Sequence, residues 1–372
     1  MNKEQIIEIL KQISTGGKVT DMSGQVRDLE ISGDRIWLEI QSTNPSLQAK
    51  KQLEADILKT FKEKLPGAEL KVTVKGTIAT KPVNINPVPD RPLPEIKNLI
   101  AVASGKGGVG KSTVTANLAV TLANMNFKVG VLDADVYGPS MPIMFDVENE
   151  RPLISKVGNK ELIKPVENYG VKMLSLGFFV NPDDAVIWRG AMANKALKQL
   201  LFDADWGELD FLLVDLPPGT GDIHLTMVQS VPLTGAVVVS TPQPVALADA
   251  KKGVSMFSQP EINVPVLGII ENMSYFKPGD CGGNTYYIFG KDGAKNLASD
   301  LQTAFLGEIP LVQSIRESGD VGRPVALQEN TDLEKAFVSI TRNMLTQLIK
   351  RNKEMPPTEV VRITNNSGCA AN

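Results

Sequence analysis

The chain has 372 residues, 42% hydrophobic and 22% charged, with 39 Lys and Arg against 42 Asp and Glu for a formal net charge of -3. At roughly 150 residues per domain this is material for two or three globular domains. So small a charge, with 5% aromatics, excludes a strong positive field or a stacking surface for nucleic acid as the main partner. Two cysteines, Cys281 and Cys369, and a single histidine, His224, exclude a disulfide framework, a four-cysteine metal site within one chain and a His-rich zinc centre.

In chain order, Ile6, Ile9, Leu10 and Ile13 recur at helical spacing, and alternation around Ile36-Trp37-Leu38-Glu39-Ile40 predicts a strand. Leu53, Ile57, Leu58 and Phe61 then share a helical face, and Leu70, Val72 and Val74 alternate as a strand should. Residues 1–76 are therefore expected to form a small α+β domain. Pro82, Pro87, Pro89, Pro92 and Pro94 crowd residues 77–96, a composition that favours an extended linker. From Asn98 onward, apolar β-branched runs (Leu99–Ala103, Lys128–Leu132, Phe211–Val214, Ala236–Val239, Val266–Ile270) alternate with helical stretches. That pattern predicts an α/β domain over 97–355 with a mostly parallel sheet covered on both faces. Residues 356–372 read as a polar tail. The charged start Asn2-Lys3-Glu4 and the lack of an apolar run of about 18 residues predict a soluble cytoplasmic protein with no membrane partner.

Gly105-Lys106-Gly107-Gly108-Val109-Gly110-Lys111-Ser112 satisfies G-x-x-x-x-G-K-S/T, directly after one expected strand and before the helical run Thr113–Ala123. Glycines there let backbone N–H groups approach phosphate oxygens, Lys111 reaches the β- and γ-phosphates, and the Ser112 hydroxyl binds magnesium. Asp133 and Asp135 follow a strand and project to opposite sides of its end, one suited to a cation and one to a water. Asp215 ends the apolar run Phe211–Val214 as a Walker B carboxylate does, and Gly219 beyond it has an N–H to offer a γ-phosphate. Asp222 reads as a helix N-terminal acid and His224 as a polar surface residue without a catalytic role.

The second lysine of the loop, Lys106, and the sequence Lys-Gly-Gly-Val-Gly-Lys-Ser-Thr resemble the deviant P-loop ATPases of the MinD/ParA superfamily. The resemblance implies an ATP-dependent homodimer in which Lys106 reaches across to the partner's nucleotide, Asp133 serves the magnesium shell and Asp135 orients water. Ile187-Trp188-Arg189-Gly190-Ala191-Met192, Asp215-Leu216-Pro217-Pro218-Gly219-Thr220-Gly221-Asp222, Thr241-Pro242-Gln243 and Glu271-Asn272-Met273-Ser274 narrow it to the Mrp/ApbC-type iron-sulfur cluster carriers, and residues 1–76 resemble the assembly-type domain often fused ahead of them. That branch implies ATP binding and hydrolysis, adenine recognition by Asn272 within a nucleotide site of residues 105–113, and transfer of a 4Fe-4S cluster to apo iron-sulfur proteins alongside cluster assembly factors.

The chain departs from that family at the cluster. Where two cysteines three apart are usual, it has Pro278 and Cys281, and proline cannot ligate iron. A dimer using Cys281 alone supplies two thiolates rather than four. Three arrangements stay open: Cys369 joins Cys281, a non-cysteine ligand substitutes, or the protein assists assembly without holding a stable cluster. Thr43-Asn44-Pro45-Ser46 also lacks the cysteine that related N-terminal domains often carry there, which leaves docking as that domain's expected role. A positioning or partitioning ATPase of the MinD/ParA kind is the alternative function.

Overall fold

The computed structural model describes residues 3–15, 18–32, 35–42, 46–66, 68–76, 92–136, 138–157, 160–179, 190–278 and 284–360. Contacts divide the chain into two units, Met1–Lys81 with Glu167–Gly170, and Pro82–Val166 with Val171–Asn372. The expected linker falls mostly outside the described residues, and Ile96 at its end already belongs to a strand.

The smaller unit contains α1 (Lys3–Leu10), β1 (Ile13–Thr15), β2 (Lys18–Thr20), β3 (Val26–Ser32), β4 (Arg35–Ser42), α2 (Leu47–Lys64) and β5 (Glu69–Gly76). β4 is central, antiparallel to β3 and parallel to β5. Its alternating burial sends Ile36, Leu38 and Ile40 inward, where they meet Ile6, Leu10, Leu53, Ile57 and Phe61. Two expectations are corrected. Ile13 pairs with Thr20 in a hairpin instead of extending α1, yet it reaches the same core. Leu58 is 39% exposed, because it lies about 100° around the helix from Ile57.

After β5 the chain continues as β6 (Ile96–Ser104), α3 (Lys111–Asn124), β7 (Val129–Asp133), α4 (Met141–Met144), β8 (Leu153–Val157), β9 (Lys160–Lys164), β10 (Val166–Asn168, whose last two residues group with the smaller unit), β11 (Val171–Ser175), α5 (Gly190–Phe202), β12 (Leu209–Asp215), α6 (Asp222–Ser230), β13 (Gly235–Ser240), α7 (Pro244–Phe257), β14 (Val266–Asn272), α8 (Gly293–Asp300), β15 (Phe305–Ile309), α9 (Gln313–Asp320) and α10 (Asp332–Glu354). Strands β11, β7, β12, β6, β13, β14 and β15 stand side by side in that order, each parallel to the next. Both faces are covered, so the middles of the central strands are continuous apolar runs. On β6, Leu99, Ala101 and Ala103 join a core with Leu197 and Leu201 of α5 and Met227 of α6, while Ile100 and Val102, pointing the other way, are equally buried. The chain steps from β6 to one side of the sheet and later returns to the other side with β13. This reversal opens a crevice at the carboxyl end of β6, the place where such sheets hold ligands.

Candidate functional site

The loop between β6 and α3 fills that crevice. Gly105 is required by packing, since a Cβ there would lie 2.2 Å from the backbone carbonyl carbon of Asp249 in α7. Gly110 is required by conformation as well: its φ is +81°, and a Cβ would lie 2.2 Å from Asn272 Nδ2. The loop from Lys106 through Thr113 lines a cavity of about 200 Å³ together with Asp135, Ser140, Met144 and Pro218.

Register places the polar side chains at one level. Asp133 pairs with Asp215 across β7 and β12, and with Ser175 across β7 and β11. Asp215 is fully buried and takes three side-chain hydrogen bonds. Lys111 Nζ and Ser112 Oγ each donate to its Oδ2 at 2.6 Å, and Thr115 Oγ1 donates to Oδ1 at 2.6 Å. Asp133 accepts from Ser175 Oγ at 2.9 Å and from the N–H groups of Asp135 and Met141. Burial, and then the charge of Asp215, push the Asp133 carboxyl up to about 7. Two buried carboxylates beside a serine hydroxyl, with Lys111 as their close cation, form the hard-oxygen donor set that suits magnesium. Among the described residues no cluster of three or more His, Cys, Asp or Glu side chains could hold a metal alone. A cation at this site therefore draws further oxygens from phosphate and water.

The remaining expected residues take less direct positions. Lys106 is half-buried on the cavity wall, as is Asp135. Asn272 stands beside the loop, but its Nδ2 donates to the Val109 carbonyl at 2.8 Å, so it braces the phosphate loop. The Gly219 N–H, expected to be available to a γ-phosphate, donates to the Ser104 carbonyl at 2.9 Å. The segment must shift before that N–H can serve a ligand. Cys281 and Cys369 lie outside the described residues.

His224 corrects the sequence reading. It is 1% exposed, because it shares the inner face of α6 with Met227 and Val228. Burial, with the Lys111 charge second, pushes its pKa down to about 4, so the ring is neutral. Asp222 does begin α6, as expected. Sequence reasoning missed Thr115 and Ser175. Thr115 sits three residues after Ser112, one helical turn, which was a usable signal; Ser175 shows itself only once β11 is set beside β7.

The ParA family of NUBPL iron-transfer P-loop NTPases matches residues 95–345. The chain is 44% identical over 321 residues to the iron-sulfur cluster carrier protein of Synechocystis, covering 86% of this chain and 89% of that one. It is 51% identical over 255 residues to the iron-sulfur cluster transfer protein NUBPL of Dictyostelium discoideum, covering 68% and 77%. Among solved structures, the nucleotide-binding protein of Archaeoglobus fulgidus in complex with ADP superposes with a TM-score of 0.56 at 40% identity, over 66% of this chain and 94% of that one. A phosphate loop at the sheet crevice, carboxylates aligned behind it and this continuous similarity agree: the chain belongs to the ParA/NUBPL family of iron-transfer P-loop NTPases.

Proposed function

We propose that the protein binds and hydrolyses ATP as a homodimer and carries 4Fe-4S clusters to apo iron-sulfur proteins. The observation that carries the nucleotide reading is the convergence of Lys111, Ser112 and Asp215 within 2.6 Å contacts at the mouth of the phosphate loop. The names of the relatives support the cargo.

In this reading the loop N–H groups and Lys111 bind the β- and γ-phosphates, and Lys111 exchanges the Asp215 carboxylate for phosphate oxygens of the same charge sign. Ser112, Asp133 and Asp215 hold magnesium, which supplies neutralisation of charge on the phosphates. Asp135, at the cavity wall, orients the attacking water, and Lys106 meets the partner's nucleotide. Asn272 recognises adenine through the amide oxygen left over from its bond to Val109.

The test is iron and acid-labile sulfide per dimer after anaerobic reconstitution of wild type and Cys281→Ser. About four of each per dimer, lost in the variant, is the expected result. Absence of a cluster in the wild type, with ATP hydrolysis intact, would overturn the carrier reading and leave an ATPase that assists assembly without holding cargo.

A further inference from the structure

Of the three side chains that hold Asp215, two are the ones a nucleotide and its cation draw away. Lys111 turns to phosphate, and the Ser112 hydroxyl turns to the cation. Thr115 has no such second task. Its hydroxyl is fully buried, 2.6 Å from Asp215 Oδ1 and 3.0 Å from the Lys111 carbonyl. One hydroxyl proton serves one acceptor, and the shorter, charge-assisted contact takes it.

The opposite oxygen, Oδ2, is the one that faces Ser112. A bond to Oδ1 alone therefore fixes the torsion of the carboxylate while leaving Oδ2 free to face the cation. We propose that Thr115 is a positioning residue that keeps the Asp215 carboxylate aimed at the magnesium site once Lys111 and Ser112 have left it, so that it governs how strongly magnesium tightens nucleotide binding. This rests on the assignment of the phosphate loop and of Asp215 given above. Thr115 touches neither phosphate nor cation in this role; it acts through Asp215.

The experiment measures ADP binding to the full-length protein with and without magnesium, using a fluorescent ADP analogue, for wild type, Thr115→Val and Thr115→Ser. Valine keeps the volume and removes the hydroxyl, whereas serine keeps the hydroxyl. The expected result is that Thr115→Val loses on the order of tenfold of the tightening caused by magnesium, as the loss of one charge-assisted hydrogen bond predicts. Its affinity in EDTA should change far less, and Thr115→Ser should recover the magnesium response. A Thr115→Val protein with the wild-type response overturns the proposal, as does one that loses affinity equally in EDTA, since that pattern marks a structural role. If wild type itself binds no ADP, or binds it with no magnesium response, the reading of the site fails and this proposal falls with it. The wild-type arm thus separates the two failures.

Discussion

Lys111 and Asp215 form a buried ion pair at 2.6 Å, and the lysine is poised to follow a phosphate into the loop. Lys111→Ala is expected to abolish phosphate release and to weaken ADP binding by at least about tenfold, the scale of a lost charge-assisted contact. Release that persists undiminished in the purified variant would mean that the hydrolysis belongs elsewhere. His224 makes a different kind of contribution. Its folded pKa is about 4, below the 6.5 of an exposed imidazole, so between those values the unfolded chain binds more protons. Stability from this group is complete above about pH 6.5 and declines as the pH falls toward 4, by about 1.4 kcal/mol per pH unit at most. Asp133, raised to about 7, acts in the opposite direction, so the wild-type profile alone cannot isolate the histidine. The difference between wild type and His224→Leu cancels the Asp133 contribution. The leucine variant should lose less stability than wild type in thermal melts taken from about pH 7 to about pH 5. Equal acid sensitivity in the two proteins would show that the ring is not neutral in the fold.

At the scale of elements, the strands read from the sequence carry one of two clean patterns: β4 alternates, with every second residue buried, and five strands of the large sheet carry continuous apolar runs. β6, β7, β12, β13 and β14 are covered on both faces and appear as unbroken apolar runs. The overlooked strands lack that signature: β3 reads VRDLEIS, β9 reads KELIK and β11 reads VKMLS, so charged residues interrupt each apolar pattern. The site divides in the same way. Lys111, Ser112 and Asp215 were legible because loop chemistry dictates residue type and spacing. The bond from Asn272 to Val109 depends on how far β14 runs beside the loop, which no local pattern encodes. Close approach of elements also sets the fate of Gly105. A methyl group there meets the α7 backbone at 2.2 Å, and backbone cannot rotate away as a side chain can. Gly105→Ala should cost about 1–3 kcal/mol in denaturant unfolding and displace the loop enough to impair ADP binding. A variant with wild-type stability and affinity would show that α7 yields freely.

At the scale of the molecule, the two units have separate cores. The smaller gathers Ile6, Leu10, Ile36, Leu38, Ile57 and Phe61; the larger gathers the face of β6, β7 and β12 against α5 and α6. The phosphate loop, its carboxylates and Asn272 all belong to the larger unit. Residues 43–46 of the smaller unit contain no cysteine, and the role expected of it from the sequence is docking to other proteins, which truncation tests. A protein beginning at Glu95 should therefore fold, bind ADP and hydrolyse ATP within about twofold of the full chain, as an independently cored domain does. Its rate of cluster delivery to an apo iron-sulfur protein should fall well below that of the full chain. Parallel assays on one preparation, phosphate release beside reactivation of an apo-enzyme, separate these outcomes. Loss of ADP binding on truncation would show that the larger unit needs the smaller to assemble its site. Undiminished delivery would place client recognition on the surface of the P-loop domain itself.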